Sequence, residues 1–201
     1  MSKNTWKIIT QTQYSDWTYY FFVPIIFRGW HIASEGQLNL IKQGVEKWNL
    51  WRDQNTDIKP DLSQADLRET QLQKVNLSNA NLDEAKLQFS NLTGANLQAA
   101  CLKKVRFQEA NLQSANLKNA DLSGAGMLEA NLQYADLENA NLGGAQFNED
   151  ALFNQTNLKR ANLTGTTGLS SSQINLAITD KQTRLPDYLE EEMDDDFLLQ
   201  M

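Results

Sequence analysis

The sequence predicts an all-β solenoid between residues 60 and 166, and three regularities carry that prediction. A large apolar residue recurs every fifth position, from Leu62, Leu67 and Leu72 through Leu142, Phe147 and Leu152, then after one six-residue step at Leu158 and Leu163. Two residues before each member sits a small residue, usually Ala, as at Ala65, Ala80, Ala95, Ala110, Ala125 and Ala140. Beneath the period of five runs a period of 20, which places Leu67, Leu87, Phe107, Met127 and Phe147 in one column. That column holds every departure from Leu in the central series. A period of five fits neither the roughly 3.6-residue period of a helix nor the period of about two of a flat strand. Units this short bury their apolar side only by stacking on their neighbours. The recurrence at 20 makes each coil four-sided.

The unit reads Ala, then Asn or Asp, Leu and two polar residues, as in Ala80-Asn81-Leu82-Asp83-Glu84 and Ala115-Asn116-Leu117-Lys118-Asn119. On these residues the stretch resembles the pentapeptide-repeat family. The resemblance implies a right-handed quadrilateral parallel β-helix of about five coils, with short α-helical caps at both ends. It also implies a non-catalytic interaction or scaffold protein of bacterial type. Stacked coils about 4.8 Å apart would make a rod on the order of 24 Å long.

Each position of the unit then has a physical task. Leu fills the lumen, and Ala is small because its side chain also points into a narrow interior. Gly or Asn at the corners tolerates the positive φ that a type II turn requires. Gly124, Gly144 and Gly165 share one corner column, and Asn79, Asn119 and Asn139 another. Stacked side chains such as Asn91, Asn111 and Asn131 can hydrogen-bond along their column. The residues preceding the Phe107 column are Asp66, Lys86, Arg106, Gly126 and Gln146, so this side alone lacks asparagine there. Asp150 stands where Ala belongs, which predicts a bulge or loop over 150–156 with Asp150 turned outward.

Upstream, residues 1–33 form an aromatic-rich extension containing Trp6, Tyr14, Trp17, Tyr19, Tyr20, Phe21, Phe22, Phe27 and Trp30. The apolar run of residues 17–27 is shorter than the roughly 20 residues that a spanning helix needs. Arg28, Gly29, Trp30 and His31 offer no cleavage site for a signal peptide. Three readings stand for this extension: an apolar flap on the domain, an interfacial membrane anchor, or a segment with no packed partner. Residues 34–59 follow as one amphipathic capping helix and a polar connector. Ser34 and Gln37 have capping-box spacing, and Leu38, Ile41, Val45, Trp48 and Trp51 or Arg52 form its stripe.

Downstream, residues 167–189 read as a C-terminal cap. Gly168 closes the repeat, Ser170 to Ser172 can start a short helix through Ile174, Leu176 and Ile178, and Thr183-Arg184-Leu185-Pro186 is an extended stop. These features, with Trp48-Asn49-Leu50-Trp51-Arg52, resemble the closing and opening segments of bacterial members of the family. Residues 190–201 form an acidic tail ending in Phe197-Leu198-Leu199. The charge follows these boundaries: of the net -7, +2 falls in residues 1–59, -3 in 60–166 and -6 in 167–201. The overall balance lacks the basic patch of a nucleic-acid binder.

Little in the residues suggests catalysis. There is no phosphate loop, paired metal-ligand spacing or nucleophile elbow. One histidine, His31, and one cysteine, Cys101, leave no basis for a His-based metal site or an intrachain disulfide. The expectation is therefore no catalytic residue, no cofactor and no metal, with a cytoplasmic location and a protein partner. Candidate recognition residues cluster on the side of the Phe107 column. Lys103, Lys104 and Arg106 surround one corner with Lys86 a coil below, while Phe89 and Leu128 are apolar at outward positions. Glu109 and Glu129 stack with Glu69 and Glu149 beside them, interrupted by Phe89. Tyr134 and Phe153 are further apolar residues expected to face outward. Two rival readings accompany the scaffold: a DNA mimic that inhibits or protects a type II topoisomerase such as gyrase, and a peripheral membrane protein using residues 17–27.

Overall fold

The computed structural model describes residues 34–190. The aromatic extension and the acidic tail beyond Glu190 lie outside the described residues, as does the membrane reading of residues 17–27. The chain from Asp61 onward is a parallel β solenoid. Its coils are joined by four ladders of parallel bridges, which begin at Asp61↔Asn81, Asp66↔Lys86, Gln71↔Asn91 and Asn76↔Asn96. Each side contributes one bridging residue rather than a longer strand, because two of every five residues are spent in a turn. The turn is the same at nearly every corner. The N–H of the small residue returns to the carbonyl of the preceding large one, as in Ala65 to Leu62 and Ala80 to Leu77, both 3.1 Å.

The third residue of that turn is left-handed. Gly124, Gly144 and Gly165 have φ of 67–69°, and Asn79, Asn119 and Asn139 have φ of 57–58°. The same conformation is imposed on residues that favour it less, including Phe89 (60°), Ala99 (54°), Lys104 (53°) and Tyr134 (60°). Coil stacking therefore overrides local preference at these corners.

Inside, Leu62 to Leu142 and the Ala or Val two residues before each large member are buried. Where Ser or Thr replaces Ala, its hydroxyl donates to a nearby carbonyl: Ser90 to Leu87 at 2.6 Å and Thr156 to Leu132 at 2.7 Å. A buried hydroxyl is tolerated because that bond removes its desolvation penalty. Outside, the Asn or Asp of each unit accepts the N–H two residues on, as Asn91 does from Thr93 at 3.1 Å. Along two ladders an Asn also donates to the acid or amide one coil earlier, as in Asn81 to Asp61 (3.1 Å) and Asn141 to Asp121 (3.1 Å).

One register expectation fails. The column steps from Phe147 to Phe153, which is 1 % exposed, while Leu152 is 44 % exposed and bridges Asn131 on the outside. Phe153 is therefore a core residue rather than an outward one, and its ring meets Phe147 edge-on at 5.2 Å. The extra residue lies in the turn of residues 148–151, earlier than the six-residue step placed it. The reason is the acid. A regular step to Leu152 would put Asp150 in the lumen, whereas the shifted step buries Ala151 and leaves Asp150 exposed. At this bulge Asn148 Oδ1 accepts the Glu129 N–H at 2.8 Å, doing what a backbone carbonyl does at the other corners of the column.

The amino-terminal helical segment is two helices, α1 (Glu35–Lys42) and α2 (Val45–Gln54), not one. They divide at Gly44, whose φ of 117° no helix accommodates. The Ser34 capping box does not form, because Gln37 Oε1 instead accepts the Asp61 N–H at 2.7 Å. Asn49 pairs with the first coil from below. It donates to the Lys74 carbonyl and accepts from the Asn76 N–H. Trp48 Nε1 reaches the Asn76 carbonyl, and Arg52 reaches those of Ile58 and Ser78. Side chains thus satisfy backbone groups that a preceding coil would have bonded.

At the other end, Ser170 and Gln173 form a reciprocal capping box on α3 (Ser171–Leu176). Gln173 Nε2 also donates to the carbonyls of Asn148 (2.9 Å) and Ala151 (2.8 Å), closing the bulge. Ile178 and Arg184 continue two ladders onto Asn157 and Asn162. Ile174 is buried, while Leu176 and Ile178 are exposed. The described chain ends with α4 (Asp187–Glu190).

Candidate functional site

The second ladder, Asp66–Lys86–Arg106–Gly126–Gln146–Thr167, holds the candidates Lys86 and Arg106, and most of the other candidate residues flank it. Its outward positions hold no Asn to tie one coil to the next. Lys86 and Arg106 are consecutive bridging residues on it, and Lys104 sits at the left-handed corner just before Arg106. With Gln64 and Glu84 these three line a shallow open depression. Among the described residues none of the three cations forms an ion pair within 4.0 Å. Lys103 faces away from them. Its ammonium is 3.4 Å from Asp121, and its N–H donates to Asp83 at 2.9 Å.

The apolar pair of the site lies across the same ladder. Phe89 is 52 % exposed at its corner, and Leu128 is 38 % exposed one residue before Glu129. Glu109 and Glu129 occupy the corner column of Phe89, with φ of 56° and 57°, and both are exposed. The ladder therefore has a basic corner at Lys104 and an acidic one at Glu109 and Glu129, with Phe89 and Leu128 on the acidic side. Beneath it, Gln88 and Gln108 bury their Oε1 atoms without a hydrogen-bond partner among the described residues.

Electrostatics at the edge of the patch are local. Arg68 clamps Asp66 at 2.6 and 2.8 Å, and that hydrogen bond holds the Asp66 carboxyl down at about 2. Lys86 contributes a weaker attraction in the same direction. For Asp121, burial pushes the carboxyl up, but hydrogen bonds from Ser123 and the attraction of Lys103 outweigh it and leave it lowered. Beside the fourth ladder Lys118 is 3.1 Å from both Asp136 and Glu138 and Arg160 is 3.4 Å from Glu138, while Lys159 has no ion pair within 4.0 Å among the described residues.

No cluster of three or more His, Cys, Asp or Glu that could hold a metal occurs among the described residues. Among them, no helix is long and apolar enough to cross a membrane. Cys101 is an exposed bridging residue between Asn81 and Asp121. His31 lies outside the described residues.

Sequence spacing alone brought Lys86, Lys104 and Arg106 together. It did not separate Lys103 from them, because its pairing depends on which way each corner turns. The buried Gln88 and Gln108 oxygens were missed, and their only signal was the Gln-Phe and Gln-Glu pairs beside the Phe107 column.

A five-residue unit recurring over four parallel ladders makes this chain a β-solenoid repeat protein. It belongs to the pentapeptide repeat family: the family description "Pentapeptide repeats" matches residues 61–98, 90–127 and 127–167, with 8 copies. Among curated proteins, none matches the sequence. A solved pentapeptide repeat protein from the Arabidopsis thaliana thylakoid lumen is 33% identical, with a TM-score of 0.52 over 53% of this chain and 73% of that one. HetL, a pentapeptide repeat protein involved in heterocyst differentiation regulation in the cyanobacterium Nostoc, is 27% identical, with a TM-score of 0.42 over 63% and 74% of the two chains. QnrB1, a plasmid-mediated fluoroquinolone resistance protein, is 16% identical, with a TM-score of 0.32 over 69% and 71%.

Proposed function

We propose that this chain is a non-catalytic scaffold, a right-handed quadrilateral β-helix of about five coils that presents the second ladder to a protein partner. One observation carries the reading: Lys86, Lys104 and Arg106 have no ion pair among the described residues and stand across the ladder from exposed Phe89 and Leu128, on the ladder without an Asn column. Exposed aromatic and arginine residues on a rigid support are what binding surfaces are built from. The left-handed corners hold their backbones in place, so little order remains to be lost when a partner docks. Glu109 and Glu129 complete a surface with one basic and one acidic edge, which favours one orientation of a partner over its reverse.

Affinity capture from the native organism tests this. The double variant Lys104→Glu, Arg106→Glu is expected to lose the principal captured protein by about tenfold or more, while Lys118→Glu beside the fourth ladder retains it. Equal capture by both variants would sink the assignment of this surface.

A further inference from the structure

We infer that the open lower edge of the first coil, along its third side at Gln71–Gln73, receives an extended segment of a protein partner as an added β-strand. Each coil makes the same three backbone bonds to the coil below it. On the third side Asn91 donates its N–H to the Thr70 carbonyl at 2.9 Å and its carbonyl accepts the Leu72 N–H at 2.8 Å. The Thr93 carbonyl accepts the Lys74 N–H at 3.0 Å. One coil higher, Asn111 and Gln113 repeat the pattern. The first coil has no coil below it, so its equivalent groups find other partners or stay open.

The amino-terminal helices serve the fourth and first sides. On the fourth, Asn49 accepts the Asn76 N–H, Trp48 donates to the Asn76 carbonyl and Arg52 to that of Ser78, at 2.8–3.0 Å. On the first, Gln37 accepts the Asp61 N–H and the Ser34 N–H donates to the Asp61 carbonyl. On the third side the Gln71 N–H, the Gln71 carbonyl and the Gln73 carbonyl have no partner among the described residues. Gln71 is exposed, whereas Asn91, Asn111 and Asn131 above it are half-buried. The equivalent groups of Asp66 and Arg68 also lack a partner among the described residues, so the open edge turns the corner onto the second side. Unpaired strand edges are templates for pairing with another chain.

A groove singles out the third side. It is open, about 600 Å³ in volume, and lies between this edge and the start of α2, walled by Gln43, Gly44, Val45 and Lys47. Gly44 carries no side chain, and nothing lies within 4 Å of where one would begin. The three unpaired groups define the occupant. It must offer a carbonyl, an N–H two residues later and a second N–H two residues after that, which an extended polypeptide does when it adds to a sheet edge. Proline is excluded at both donating positions. In register with the coils, the first donating residue turns its side chain inward, toward Val45, which packs on the core, so an apolar residue fits there. Lys47 and Lys74 outnumber Glu46 at the rim, which favours acidic neighbours.

The test uses the 15N-labelled full chain and the blocked peptide Glu-Ala-Asn-Leu-Gln-Ser-Ala, whose sequence is that of residues 109–115, itself a third-side strand. Saturable shifts of the Gln71–Lys74 and Val45–Lys47 amides are expected, with a Kd on the order of 1 mM or tighter. Hydrogen exchange at the Gln71 N–H should slow as the peptide binds. The same peptide N-methylated at its Leu and Ser loses two donors and should bind about tenfold or more weakly. Gln71→Pro removes an N–H that no described residue uses, and it should weaken the unmethylated peptide. No saturable shift at about 5 mM peptide, or equal binding of the methylated form, would overturn the proposal, whether or not Gln71→Pro folds. Protection of the Gln71 N–H in the free chain would overturn it in favour of an occupant from the same chain. Protection that rises with protein concentration would do so in favour of a second copy. The second ladder takes no part in this experiment, so its failure leaves the proposed function standing.

Discussion

Gly168 has φ +78°, and a Cβ built on it would lie 2.1 Å from the Phe147 carbonyl oxygen, which is backbone and cannot give way. Gly144 has a similar φ, +69°, but nothing within 4 Å of its Cβ position. The two glycines separate steric from conformational need. Gly144→Ala should cost about 1 kcal/mol from the left-handed conformation alone, and Gly168→Ala distinctly more, roughly 2 kcal/mol or above. Urea unfolding midpoints compare them; equal losses would refute the distinction. Ala99 is the reverse case, a left-handed residue with a Cβ it does not benefit from. Ala99→Gly should raise stability by roughly 0.5–1 kcal/mol. The Asp66 carboxyl gives a pH prediction. Its folded pKa of about 2 lies below the unfolded value near 3.9, so the Arg68 clamp contributes stability above about pH 4 that is lost as pH falls through 2. A side-chain NMR titration should find that low midpoint in the native chain. In Arg68→Ala it should move back toward the ordinary carboxylate range.

Both ends and the bulge are held by side chains acting in place of absent backbone. Gln173 is the clearest case, because its one amide group serves the Asn148 and Ala151 carbonyls while its oxygen accepts from Ser170. Gln173→Leu preserves bulk but leaves the buried Ala151 carbonyl unpaired, while the Asn148 carbonyl keeps the Ala151 N–H; a buried acceptor left unpaired costs about 1–3 kcal/mol. Thermal unfolding should register a loss of that order, and an unchanged midpoint would show that water replaces the amide. These contacts explain what the sequence could and could not reveal about the fold. The solenoid was legible because its constraint is strictly local: every unit repeats the same small residue, large residue and turn. The bulge was misplaced by following the period past its first fault. Ala151 and Phe153 carry the small-and-large spacing, and Asp150 and Leu152 do not, so the shift was written in the residues. The break at Gly44 was less legible, since the apolar stripe from Leu38 to Trp48 continues across it. Gln37 looked like a helix cap because its use by Asp61 depends on a tertiary approach that spacing does not encode.

At the scale of the whole solenoid, charge is organised by ladder rather than by chain segment. Residues 60–166 sum to only -3. Along the second ladder Asp66, Lys86 and Arg106 leave one net positive charge, and beside the fourth Lys118 and Arg160 are paired with acids. The clustering on the second ladder was visible once the sequence was folded at 20 residues, because side and height follow from position alone. Which cations lack an ion pair among the described residues was not, since that depends on side-chain reach across corners, as Lys103 and Asp121 show. This distribution bears on the rival reading as a DNA mimic. A protein that replaces duplex DNA in a cationic groove must match roughly one negative charge per 1.7 Å of axis. Cations without a counter-ion among the described residues, such as Lys86 and Arg106, would meet the groove's own Lys and Arg and be repelled, and like-charge juxtaposition costs affinity. Gyrase supercoiling should therefore be neither inhibited nor protected from fluoroquinolone at about micromolar protein, a concentration corresponding to roughly -8 kcal/mol of binding. The Lys86→Glu, Arg106→Glu variant provides the comparison. If reversing the ladder's charge produces inhibition that the native chain lacks, the two cations are what exclude mimicry; inhibition by the native chain at that concentration would overturn the scaffold reading in favour of the topoisomerase.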